Sequence, residues 1–170
     1  MKKWTILTTA KLFVDLISIL SQTGTTVVDD IKQNLASTGT NATGRTAASL
    51  RFEVIDETNK QILRVIGKPF FNVVETGRRA TPEYTNPSKQ FVADILQWVK
   101  ARGIDEKAAY GIAKSIHQKG TKLFRDGGRQ DIFSNVITPT FVDELSKSIL
   151  SQFTNEYLKS VVKINGTNPN

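Results

Sequence analysis

His117 is the one histidine of the chain, and cysteine is absent. A nucleophile needs a base beside it, so any Ser or Thr nucleophile would depend on His117. Its place one step after Ile116, between Lys114 and Lys119, reads as a surface histidine without a role. A zinc site would lack its commonest sulfur ligands and would rest on carboxylates. Glu75 is the more specific group. It enters a Thr76-Gly77 turn, where a carboxylate accepts backbone donors or meets an arginine, a structural use. Gly127-Gly128 has neither the lysine nor the hydroxyl of a phosphate-binding loop. These residues define no catalytic, cofactor or metal site, and the expectation is that the chain is not an enzyme and takes no cofactor.

The charge says more than the catalytic inventory. Lys and Arg number 23 against 16 Asp and Glu, a formal net charge of +7. The excess concentrates between Lys100 and Arg129, where eight basic side chains stand against Asp105, Glu106 and Asp126. A face of this kind attracts nucleic acid or an acidic protein. Lys107, Lys114, Lys119 and Lys122 are its candidate contacts. The stretch also has the size of a helix-turn-helix, which would place the helix from Glu106 in the major groove. Its first turn lacks the side-chain pairs that read base edges best, so contact with phosphate is the more natural expectation.

Residues 89–136 position these groups and organise the chain. Phe91, Ile95, Trp98 and Val99 recur at helical spacing, and Ala109, Ile112, Ala113 and Ile116 restart the period. Between them Gly103 suits the positive φ that ends a helix, Ile104 closes back, and Asp105 caps the next helix with Glu106 in its first turn. Ser88 or Asn86 starts the first helix of this hairpin, beside Pro87. Gly127-Gly128 is read as the end of the second.

Upstream, Leu12 to Leu20 form one amphipathic helix, which Gly24 is expected to break before another built on Val27, Val28, Ile31 and Leu35. A polar loop over 37–46 follows. Leu50, Phe52 and Val54 alternate with Arg51 and Glu53 as a strand, 56–60 is a turn, and 62–66 returns. Residues 70–75 read as a third strand, and 77–88 as an extended arm with two prolines. A long last helix begins near Pro139, with Phe141, Leu145, Ile149, Phe153, Tyr157 and Val161 spaced by four. The expected fold is therefore α+β: a small antiparallel sheet of three or more strands covered by N-terminal helices, a central helical hairpin and a long C-terminal helix. One domain spans 1–170, with a helical segment over 1–38 and an extension over 139–164. Lys11 and Asp15 interrupt the first apolar run, so it reads as mature sequence, and no membrane span is expected.

Three places resemble the neck, or tail-completion, proteins of tailed bacteriophages. ATGRTAASL (42–50) looks like that family's passage from a helix through a Thr-Gly turn into a strand. FFNVVETGRR (70–79) is similar to its aromatic strand and Val-Glu-x-Gly turn. Trp98, Arg102-Gly103-Ile104, Ile112-Ala113 and Ile116, leading to Gly120-Thr121, look like its tryptophan helix and following Ile-Ala helix. The resemblance implies a structural virion protein assembled in the bacterial cytoplasm, a subunit of the head-tail connector. It would form a ring of about twelve copies, or of six, between portal and tail, and continue the DNA channel. Partners would be the portal, other neck and tail proteins and, non-specifically, the genome, with no membrane. In that setting Arg78, Arg79, Tyr84, Arg129, Asp131 and Phe133 become candidate subunit contacts. Glu75, Gly77 and Gly103 become structural turn residues, and the four lysines face DNA or the lumen. The alternative is a helix-turn-helix DNA-binding protein.

Overall fold

The structure, a computed structural model, describes residues 9–58, 60–69, 71–81 and 85–165, with helix backbone alone at 9–15 and 160–165. Its elements in chain order are α1 (Thr9–Ser37), α2 (Arg45–Ala48), β1 (Arg51–Glu57), β2 (Lys60–Ile66), α3 (Val73–Thr76), α4 (Lys89–Ala101), α5 (Ala109–Lys119), α6 (Lys122–Arg125) and α7 (Pro139–Asn165), with a 3₁₀ turn Glu106–Ala108 before α5. The class is α+β, and the sheet of the described residues is the antiparallel pair β1-β2. The chain divides into two compact units. One is Met1–Val27, Phe52–Arg64 and Ile137–Asn170, and the other is Val28–Arg51 and Val65–Val136.

In the first unit, α1 passes straight through Gly24 instead of breaking there. The reason is packing. A Cβ at Gly24 would lie 2.5 Å from Phe52 Cδ2 and 2.9 Å from Leu63 Cδ1, so the missing side chain lets β1 and β2 close on the helix. Leu20 and Val27, on either side of it, are buried. Polar pairs on the exposed side of the hairpin support it, with the Arg64 guanidinium donating to Glu53 at 2.8 Å and the Gln61 amide to Asp56 at 3.0 Å. The 27 residues of α7 begin where Thr138 Oγ1 accepts the Phe141 amide at 3.1 Å, with Pro139 at the first helical position. Phe141, Leu145, Ile149 and Phe153 are half-buried along one stripe.

In the second unit the helical hairpin forms as its local chemistry predicts. Ser88 caps α4 by accepting the Phe91 amide at 3.2 Å. Gly103 takes φ 66°, the Ile104 amide returns to the Val99 carbonyl at 2.9 Å, and Asp105 accepts the Lys107 amide at 2.9 Å. The second helix ends earlier than predicted, at Lys119. The Gly120 amide bonds the Ile116 carbonyl there, and Thr121 caps the separate short α6. Val28, Ile31, Leu35, Leu50, Val99, Ala109, Ala113 and Ile132 make the core.

The predicted third strand is not present. Residues 73–76 are a helical turn, with the Thr76 hydroxyl and amide both returning to the Asn72 carbonyl. Phe70 lies outside the described residues. A short β-branched run fits strand or helix equally well by pattern. What decides here is the polar partner that Glu75 reaches from a helical turn. Among the described residues no helix is long and apolar enough to cross a membrane.

Gly24→Ala tests the first unit. The gain in helix propensity is about 1 kcal/mol, and overpacking against the root of the Phe52 ring costs about 1–3 kcal/mol. The expected net result is a lower Tm in a thermal melt followed by circular dichroism; a higher Tm would refute the close approach.

Candidate functional site

Glu75 is the most buried charged side chain described, at 3% exposure. Its Oε1 accepts three successive backbone amides, from Ile132 at 2.9 Å, Phe133 at 2.7 Å and Ser134 at 3.0 Å. The Ser134 hydroxyl donates to Oε2. Successive amides turned to one point form a concavity for an anion. Here the chain fills that concavity with its own carboxylate.

Other groups complete the clasp. The Glu75 backbone carbonyl accepts the Arg129 amide at 2.9 Å. From α1, the Asn34 side-chain amide donates to the Ile132 carbonyl at 2.9 Å and to Asn135 Oδ1 at 3.2 Å. The amides of 129 and 132–134 and the Ile132 carbonyl are thus met from two helices, and Ile132 itself is wholly buried.

Burial pushes the Glu75 carboxyl up, but the Ser134 hydroxyl and then the three amides outweigh it and hold the group below its ordinary value of 4.5. That is the opposite of what a general base working near neutrality requires. Its oxygens are already occupied by donors. Among the described residues no group of three His, Asp or Glu side chains is placed to share a metal ion. The arrangement fixes a loop.

The candidate contact residues fall in different places. Arg129 grips both oxygens of Asp131 through Nε at 2.5 Å and Nη2 at 2.7 Å, and Nη1 reaches Thr40 Oγ1 at 3.2 Å. The bond to Asp131 raises the Arg129 pKa and lowers that of Asp131. The Phe133 ring meets Phe71 at 5.6 Å between centroids. Arg78 lies over the Phe91 ring at 3.6 Å, and burial lowers its pKa. Its backbone pairs with Thr121, the Arg78 carbonyl accepting the Thr121 amide and the Arg78 amide donating to Thr121 Oγ1, each at 2.9 Å. Arg79 is exposed, and Tyr84 lies outside the described residues.

Residues 78–81 therefore run along the end of α5 in the chain's own fold. The Thr81 amide continues the pairing by donating to the His117 carbonyl at 2.8 Å. His117 itself is a correction: expected on the surface, it is 6% exposed, with Nε2 and Thr85 Oγ1 at 3.0 Å. It follows buried Ala109 and Ala113 at four-residue steps, a signal the sequence carries. Gly77, with φ 71°, is required by close approach, since a Cβ there would stand 2.3 Å from the Phe124 amide nitrogen. Gly103 ends α4 as predicted. Lys107, Lys114 and Lys119 are exposed on and just before α5, while Lys122 bonds Asp126 one turn along α6.

With this geometry established, the comparisons with known proteins add nothing to it. No family model, curated protein or solved structure matches the chain. Sequence reasoning missed Asn34, Ser134 and Thr121. Asn34 and its partner Ile132 are 98 residues apart, a distance no local pattern spans.

Glu75→Gln tests the clasp. Removing the charge is expected to cost about 2 kcal/mol near pH 7. Because the folded carboxyl titrates below its unfolded value, its contribution is complete above that unfolded value and is lost as pH falls through the folded one. Urea titrations at neutral pH and at about pH 3 should show the gap between the variant and the native chain closing in acid. A gap that stays constant would refute the assignment.

Proposed function

We propose that this chain is a structural subunit of a phage neck, assembling into a ring that joins portal to tail and continues the channel for the genome. The observation that carries the assembly part of this reading is α7. Along its 27 residues, Val142, Leu150 and Leu158 are 49%, 68% and 52% exposed. A helix of that length, roughly 40 Å, holding large apolar side chains in water gains by being covered. Each such side chain is worth about 1.5–3 kcal/mol when fully buried. Asp143, Glu144, Lys147 and Lys159 lie beside them, so the surface carries both signs of charge and can meet a like surface without net repulsion.

The loop 129–135 and residues 78–81 fit this reading as rigid supports. Held by Glu75, Asn34 and Thr121, they present a fixed outline to a neighbour and lose little entropy on contact. The Glu75 carboxylate supports a structural role, since four donors of the loop hold it below its ordinary pKa, which makes it a poor base.

Native mass spectrometry of the purified chain, alone and with portal and neighbouring neck proteins, tests the proposal. The expected result is a ring, or a monomer that enters a ring on the portal. Leu150→Lys with Leu158→Lys should abolish that assembly and leave the helical circular dichroism unchanged. A chain that stays monomeric or dimeric with all of these partners would overturn the reading.

A further inference from the structure

Two glycines lie inside long helices, and they differ in one respect. Gly24 is filled against Phe52 and Leu63, whereas a Cβ on Gly111 would meet nothing within 4 Å among the described residues. Glycine is a poor helix former, and no packing among the described residues uses its absence of a side chain in α5. The space above Gly111 is open to a partner.

The surroundings give the partner's chemistry. At about 100° per residue, Gly111 sits at the middle of the exposed face of α5, with Ser115 and Gln118 beside it. Lys107 and Lys114 flank it on one side and Lys119 on the other, all exposed. Among the described residues no carboxylate lies on this face. Some cations elsewhere are paired, Lys100 with Glu106, Lys122 with Asp126, Arg64 with Glu53 and Arg129 with Asp131. Among the described residues Lys107, Lys114 and Lys119 have no ion pair. The apolar residues of α5 turn the other way, with Ala109 and Ala113 buried.

From this we infer that the exposed face of α5 docks the phosphate backbone of duplex DNA. A protein partner would want an apolar anchor at the centre of its patch, and this centre is Gly111, Ser115 and Gln118. Single strands favour aromatic platforms, and the face offers only Tyr110, whose hydroxyl donates to Asn86 Oδ1 at 3.4 Å. A helix with its side chains, about 10–12 Å across, matches a major groove about 12 Å wide. The lysines then lie along the two phosphate walls, and Gly111 lets the helix backbone sit deep. The three lysines reach the phosphates, contacts that position the helix and carry no sequence information. The inference rests on the connector reading only for the source of the DNA, which would there be the genome in transit.

Fluorescence anisotropy of the whole chain with a random-sequence duplex tests the surface apart from assembly, which native mass measures. The duplex should bind with a log–log salt slope of about −3, and sequence changes should leave the affinity unaltered. Lys114→Gln should reduce the slope by about one. Gly111→Ala should melt higher than the native chain yet bind more weakly. Gly111→Gln, which leaves the charge unchanged, should weaken binding at least tenfold, while Lys60→Gln on β2 should leave it intact. The inference is overturned if the free chain fails to bind duplex at low salt, if Gly111→Gln binds as well as the native chain, if Lys60→Gln weakens binding as much as Lys114→Gln, or if polyglutamate or a single strand binds as tightly as the duplex.

Discussion

The carboxylate of Glu75 is the constraint on which the second unit depends. The amides of Ile132, Phe133 and Ser134 belong to no helix or strand, and without a partner each would cost about 1–3 kcal/mol in a dry position. One buried oxygen answers all three. The carboxylate is just as dependent on the amides, since an unpaired buried charge is costlier still. Neither side is stable alone. That mutual need brings α3 to the loop, sets Ile132 in the core beside α1's Asn34, and fixes Phe133 against Phe71. It also explains why residues 73–76 are a helical turn.

The parts of this fold that a reader finds in the sequence are those whose causes lie within a few residues. Ser88, Gly103 and Pro139 act on their immediate neighbours, and the helix boundaries they predict are the ones observed, while Asp105 caps the 3₁₀ turn that leads into α5. The hairpin of β1 and β2 is legible for the same reason, through alternation and a short turn. The misreadings share another origin. Gly24 looks like a break until Phe52 and Leu63 are set against it, and 70–75 looks like a strand until Glu75 is seen to need partners 57 residues away. His117 looks exposed until the arm at Thr81 and Thr85 is laid over it. As for the candidate site, the sequence marked Glu75 as an acceptor of backbone donors, but it held no sign of which donors.

Charge is spent unevenly across the molecule. The arginines are largely engaged at home, over Phe91, on Asp131 and Thr40, on Glu53, and at the Gly39 carbonyl, which Arg102 reaches from the end of α4. Planar guanidinium groups suit such fixed tasks. The lysines of α5 are left to the solvent on flexible stems, which suits contact with a partner that presents many equivalent anionic points.

The missing side chain at Gly24 has a consequence for how this chain can vary. Because the Phe52 ring occupies the place where a methyl group would be, neither position is free to change by itself. An alanine at 24 becomes acceptable only when 52 shrinks, and a smaller residue at 52 leaves a void unless 24 grows. The two sites, one on a helix and one on a strand, are inherited as a single volume.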